Sequence, residues 1–264
     1  SLLMPGTNLA MGVSASPSSI ASNISNINIG DCSMYGQQSA IGNLAIGMCS
    51  MTGTATGLVG NVAIGTNAQS NLCINSSYNT SIGSSAGTEM SGNYNIGIGV
   101  NSNSKSAHCC TIAIGTDSGY SAGTRSILIG YSAGAYSCSL GGGGNIAIGN
   151  MATMNFKSGT CNIAFGESAL VNGRGICNVA FGNCSGYGLS GSLNVAFGNC
   201  AMENYIGDSS VGLGNNAMSG VTVGFCNNFG VGNFVFANAS NLCASLAVGC
   251  YAMCRSHGWC ERLF

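Results

Sequence analysis

A large apolar residue, a small residue and a second large apolar residue recur along this chain, as in Val62-Ala63-Ile64, Ile146-Ala147-Ile148, Ile163-Ala164-Phe165 and Val195-Ala196-Phe197. Asn precedes each of these triplets and Gly follows it. A small residue usually stands three places after the glycine, at Ala68, Ala152, Ala169, Ser185, Ala201, Ala217 and Ala252. Side chains alternate along a strand, so the triplet predicts a short β-strand with Val/Ile and Ile/Phe on one face and Asn, Ala and Gly on the other. The glycine ends the strand where the chain bends, because a residue without Cβ admits positive φ. Ser91-Gly92, Ser158-Gly159 and Ser190-Gly191 mark a second turn ahead of the next Asn.

The motif glycines are Gly12, Gly30, Gly47, Gly65, Gly83, Gly99, Gly115, Gly130, Gly149, Gly166, Gly182, Gly198 and Gly214, spaced 15 to 19 residues apart. Weaker copies at Gly224, Ala237 and Gly249 bring the series to about sixteen. Self-similarity at such a period is the signature of a repeat architecture. Two turns per repeat leave room for two short strands, which is one coil of a flat β-roll. The predicted fold is therefore all-β, a parallel β-solenoid of about sixteen short coils, with residues 1–252 as the repeat domain and 253–264 as a C-terminal cap or end segment. Trp259, Arg262 and Phe264 suit such a cap. A coil this short is narrow, and the Val/Ile and Ile/Phe columns can fill it. The opposite column, Ala45, Ala63, Ala113, Ala147, Ala164, Ala180, Ala196 and Ala247, is small and apolar where a face open to water would carry Lys, Glu or Thr. It points to a second backbone approaching closely. Both faces are expected to be buried, one inside the roll and one against a partner, and the pattern alone does not assign them.

Composition narrows the function classes. Only 5% of residues are charged and the net charge is −1, so a nucleic acid or an anionic membrane is not an expected partner. The 45% apolar content argues against disorder, and 43 glycines without a Gly-x-y period exclude collagen. No apolar run is long enough to span a membrane as a helix.

The series Asn-x-Ala-Ile-Gly-x-x-Ala resembles the head domains of trimeric autotransporter adhesins. It also resembles the shaft repeats of phage and large-virus tail fibres; Asn79-Thr80-Ser81-Ile82-Gly83-Ser84-Ser85-Ala86-Gly87 and Ile129-Gly130-Tyr131-Ser132-Ala133-Gly134 are close to the viral style. The resemblance runs from about residue 8 to 252. It implies a homotrimer of left-handed parallel β-rolls, intertwined or side by side, projecting from a cell or virion surface and binding a receptor, matrix or glycan. No heptad stretch for a stalk occurs in the chain, and fifteen cysteines exceed what either family usually carries.

The cysteines follow the repeat. Cys161 and Cys177 each stand one place before the motif Asn, and Cys184 and Cys200 two places after the motif glycine, a position shared by Cys32, Cys49 and Cys226. Equivalent positions on neighbouring coils stack about 4.8 Å apart, within the Cα separation that a disulfide tolerates. Cys161, Cys177, Cys184 and Cys200 are thus candidates for inter-coil disulfides; small buried thiols and metal ligands are the alternatives. His108 beside Cys109-Cys110, and Cys254, His257 and Cys260, come nearest to a zinc site, but the second group lacks a fourth ligand. No cofactor or metal is expected. Gly97-Ile98-Gly99 and Gly212-Leu213-Gly214 lack the third glycine of a dinucleotide loop, and neither His lies in a nucleophile motif. The chain is not expected to be an enzyme.

Binding belongs on loops of unequal length. The longer inserts run Ser70 to Tyr78, Asn101 to Cys110 and Tyr136 to Gly144, and Tyr78, Tyr94 and Tyr136 are the candidate receptor contacts. The leading expectation is a structural, adhesive fibre segment, extracellular or on a virion, that presents such loops. The alternative is a self-assembling extracellular filament whose subunits stack end to end. An ice-binding face would need Thr at one repeated position, which Thr66, Thr80, Thr88 and Thr111 do not share.

Overall fold

A computed structural model describes residues 8–15, 23–105, 109–121, 123–137, 143–222, 226–257 and 262–263. His108, Trp259, Cys260 and Phe264, singled out above, lie outside the described residues. The fold is all-β, with parallel strands stacked as a β-solenoid of about 13 turns. The chain forms two compact units, Ser1–Ser132 and Ala133–Phe264.

In the first unit the strands are β1 (Leu9–Met11), β2 (Asn23–Ile24), β3 (Ile27–Ile29), β4 (Ala40–Ile41), β5 (Leu44–Ile46), β6 (Leu58–Val59), β7 (Val62–Ile64), β8 (Thr80–Ile82), β9 (Ile96–Ile98), β10 (Ile112–Ile114) and β11 (Ile127–Ile129). β2, β4 and β6 form a small sheet of their own, and the others stack in order in the main sheet. The second unit contains β12 (Ile146–Ile148), β13 (Ile163–Phe165), β14 (Val179–Phe181), β15 (Val195–Phe197), β16 (Val211–Leu213), β17 (Phe229–Val231), β18 (Leu246–Val248) and β19 (Arg262–Leu263). Pairing is parallel and in motif register: Ile163 lies opposite Val179, Ala164 opposite Ala180 and Phe165 opposite Phe181. The expected second strand of each repeat is realised in β2, β4 and β6. Elsewhere among the described residues that side is a run of turns with single bridges, such as Arg174 to Ser190 and Ser190 to Ile206.

Two expectations are corrected here. The late copies fall on Gly232 and Gly249, which follow β17 and β18, rather than on Gly224 and Ala237. Ala237 belongs to a turn, its N–H donating to Phe234 O at 3.3 Å, while Gly224 lies outside the described residues. The cause is Phe229-Gly230-Val231, a strand whose central position is glycine and which the Ala-based pattern passes over. The chain end adds a further rung, Leu246 pairing with Arg262 and Ala247 with Leu263.

The second correction concerns the columns. Ala45, Ala63, Ala113, Ala147, Ala164, Ala180 and Ala247 are fully buried inside the roll. The large residues beside them turn outward: Phe197 is 56% exposed and Phe229 42%. The interior is filled from the turn side instead. In the second unit the residues two, four and six places after the motif glycine adopt left-handed backbone, as at Met151, Thr153 and Asn155 and at Ser168, Leu170 and Asn172. The middle residue of this trio points inward, which buries Met34, Met51, Leu170, Met202, Met218 and Phe236. Leu72, Met90, Phe156, Leu189 and Tyr205, seven places after the glycine, join them. With one or two such side chains per turn, most strand centres hold a methyl group or less, with Asn28 and Leu128 as larger exceptions. Where the strand centre is Gly230, a Cβ would lie 3.0 Å from the Phe236 ring.

Asn and Gly of the motif lock the rungs together. In the second unit the N–H groups of Asn178, Asn194 and Ser210 donate to the Oδ1 atoms of Asn162, Asn178 and Asn194 at 2.9, 3.0 and 3.0 Å. Asn178 Nδ2 and Asn194 Nδ2 donate to Gly191 O and Gly207 O, both at 2.8 Å. The first unit repeats this ladder from Asn8 through Asn26, Asn43, Asn61, Asn79 and Asn95 to Thr111. At Ser210 the shorter side chain is reached by the hydroxyl of buried Tyr205 at 2.7 Å. Gly182 has φ +130°, and a Cβ built on it would lie 2.3 Å from Gly198 O.

Gly182→Ala is therefore expected to lower stability by roughly 3 kcal/mol or more through strain and backbone overlap, whereas Gly42→Ala, whose Cβ meets nothing within 4 Å, costs about 1 kcal/mol. Paired thermal melts check this, and equal losses would contradict the packing argument. Asn178→Ala leaves the Asn194 N–H and the Gly191 carbonyl without these partners and is expected to cost about 2–3 kcal/mol in the same assay.

Candidate binding surface

The candidate receptor residues do not form one cluster. Tyr78 and Tyr94 occupy consecutive rungs of the first unit, their N–H groups donating to Val59 O and Ser77 O. Both have left-handed backbone and expose their side chains. Their rings stack 5.2 Å apart at 5°. The other face of Tyr78 lies over Gly60, where an added Cβ would meet the ring at 2.9 Å. Stacking thus occupies both faces of Tyr78 and one of Tyr94, so these tyrosines present edges and hydroxyls rather than a full platform for a sugar ring. Tyr136 belongs to the second unit, is exposed, and lines a hollow with Asn155, Lys157 and Asn172.

The cysteine columns fall on neighbouring rungs. Cys161 and Cys177 donate their N–H groups to Gly143 O and Thr160 O, and Cys184 and Cys200 donate theirs to Glu167 O and Asn183 O, which places each pair one rung apart. All four are free thiols in this structure, the first pair exposed and the second half-buried. Burial, above all, pushes the Cys200 thiol up; the Glu203 carboxylate and Cys184 add to the shift. Cys32 and Cys49 repeat the arrangement in the first unit. Cys226 does not share their position: the Ala244 N–H donates to Cys226 O, which aligns Cys226 with Cys243 one rung on.

Of the two groups nearest to a zinc site, Cys109 Sγ accepts the Asn93 N–H at 3.4 Å, and Cys254 Sγ and His257 Nδ1 lie against the backbone oxygens of Ala237 and Arg255. Among the described residues no three His, Cys, Asp or Glu side chains gather as a metal-binding group.

The Val/Ile and Ile/Phe columns, which could have filled the roll, form the outward strand face. Phe165, Phe181 and Phe197 stack there at 4.7 and 5.5 Å. Ile82, Ile96, Ile98 and Ile127 are exposed on the first unit, and Phe197, Phe229 and Val248 on the second. The Ile-Ala-Ile alternation contained this signal. What it lacked was any indication that the turns supply the core.

In excess oxidised glutathione, thiol–disulfide exchange is expected to join Cys161 to Cys177 and Cys184 to Cys200, each bridge giving its two hydrogens to glutathione disulfide. Peptide mapping that found only mixed disulfides with glutathione would rule the pairing out. Glu203→Gln is expected to speed alkylation of Cys200 roughly threefold near neutral pH by removing a neighbouring negative charge. Neither a protein-family model nor a curated protein matches this chain.

Proposed function

We propose that this chain is a structural segment of a surface fibre, assembled from copies of itself as a homotrimer, that presents its turns to a receptor outside the cell or on a virion. The observation that carries this reading is the outward apolar ladder. Soluble proteins seldom leave continuous apolar stripes uncovered, and large exposed patches usually mark interfaces. Here the stripe recurs from rung to rung, chiefly as Ile, Leu and Val on the first unit, where Thr80 interrupts it, and as Ile, Val, Leu and Phe on the second. A partner that meets every rung needs the same axial repeat, and a second copy of this chain has it. Such an interface belongs to the apolar, obligate kind.

Mechanically the reading is simple. Asn ladders and stacked glycines resist slippage along the axis, while low charge and short turns leave little for solvent to loosen. The function follows from stiffness and display rather than from catalysis.

Light scattering on the eluting protein is expected to give three chains per particle. Phe181→Asp with Phe197→Asp would bury unpaired carboxylates in the interface and weaken assembly by roughly a hundredfold or more, with the β-sheet circular dichroism retained. A stable wild-type monomer would sink the proposal, and polymers that lengthen with concentration would favour the end-to-end filament instead.

A further inference from the structure

Six Lys and Arg serve the entire chain, yet two of them stand on adjacent rungs. The Lys157 N–H donates to Gly173 O at 3.0 Å and the Arg174 N–H to Leu189 O at 2.9 Å, so the two residues hold the same register one turn apart. Ser190 and Ile206 continue this column through parallel bridges. Like charges on neighbouring strands repel. No carboxylate offsets them among the described residues: the Lys157 ammonium has no partner, and Arg174 makes one side-chain bond, from Nε to Ser190 Oγ at 2.6 Å. That bond orients the guanidinium of this exposed arginine and leaves its two terminal nitrogens without a side-chain partner.

The pair lines a groove of ≈ 380 Å³ on the second unit, together with Asn172, Asn204, Leu189 and Ile206. This lies within the range of small-ligand sites, about 300–1,000 Å³. A neighbouring hollow of ≈ 410 Å³ shares Lys157 and Asn172 and extends to Asn155 and Tyr136. Asn155, Asn172 and Asn204 have left-handed backbone and are exposed, which turns their carboxamides toward solvent beside the cations. Asn172 Nδ2 donates to the Tyr187 hydroxyl at 3.1 Å, which orients its amide.

We infer that this groove binds an acidic saccharide. Two cations one rung apart take carboxylate or sulfate groups, carboxamides match hydroxyls, and exposed Ile206 offers apolar contact to the C–H face of a sugar ring. A polyphosphate backbone would call for a long basic stripe, whereas this chain carries a net charge of −1. The inference deepens the receptor-binding part of the fibre reading and rests on it only for the setting in which the ligand is met.

The test is calorimetric titration of the intact protein with a heparin-derived hexasaccharide, a hyaluronan hexasaccharide, maltohexaose and sodium sulfate, at low and at physiological salt. One or both acidic hexasaccharides are expected to bind and maltohexaose not to bind, with affinity falling as salt rises. Lys157→Gln with Arg174→Gln is expected to weaken binding by roughly tenfold or more, and each alone by about threefold. Arg125→Gln, an exposed cation of the first unit, should leave binding unchanged. Unchanged melting temperatures establish that the variants fold. Three results would each overturn the inference: no binding of either acidic saccharide, undiminished binding by the double variant, or binding of sulfate as tight as that of the saccharides. Light scattering on the same samples separates the two proposals. A monomer that binds in the groove removes the assembly reading alone, and an assembled protein that does not bind removes the groove alone.

Discussion

From Gly12 to Gly115 and from Gly149 to Gly232, each motif glycine stands so close to the glycine of the next rung that no side chain fits between them. At Gly166 an added Cβ would lie 2.4 Å from Gly182 O, and at Gly214 2.3 Å from Gly232 O. This contact is backbone against backbone, so no rotamer change can relieve it. It fixes where the strand ends, and it makes any slip by one residue put a Cβ where none is tolerated. The glycine column acts as the register pin of the fold.

Once register is pinned, the other columns follow. Each motif Asn falls over the previous one and closes a buried ladder of charge-free hydrogen bonds. Worth about 1 kcal/mol net apiece, these bonds repeat along the Asn column and leave few alternatives for the buried amides. The strand-centre alanines align in the same way, and because the turns drive Met, Leu or an aromatic residue into the same narrow space, these positions stay small. The outward position is then the remaining place for the large members of the triplet. An apolar exterior is thus a consequence of a crowded interior.

The sequence made the strands, their parallel stacking and most motif glycines legible, because period-two alternation and a fixed repeat survive without any knowledge of the tertiary fold. It did not reveal which face was inside. Val179 and Ala180 differ in volume, and volume alone favours Val as core; the deciding residues, Leu170 and Leu189, lie in turns whose left-handed backbone has no signature in their side chains. The stacking of Tyr78 on Tyr94 was hidden for a related reason: the residues are sixteen apart, and only the register brings their rings together. Aligning the second turns, Ser158-Gly159 on Arg174-Gly175, sets Arg174 against Ser158, so the pairing of Lys157 with Arg174 likewise emerges only from the hydrogen-bonded register.

The facing of Phe156 and Gly173 bears on how such a chain can vary. A Cβ on Gly173 would meet the Phe156 ring at 2.8 Å, so the bulk of one turn is compensated by its neighbour. Substitutions in this interior are therefore coupled across one turn of the roll, at separations near sixteen residues, rather than between residues adjacent in the chain. Duplication or deletion of a whole turn keeps that pairing intact and changes only length. Loss of a few residues within a turn breaks it. Such a lineage would change its reach readily and its cross-section hardly at all.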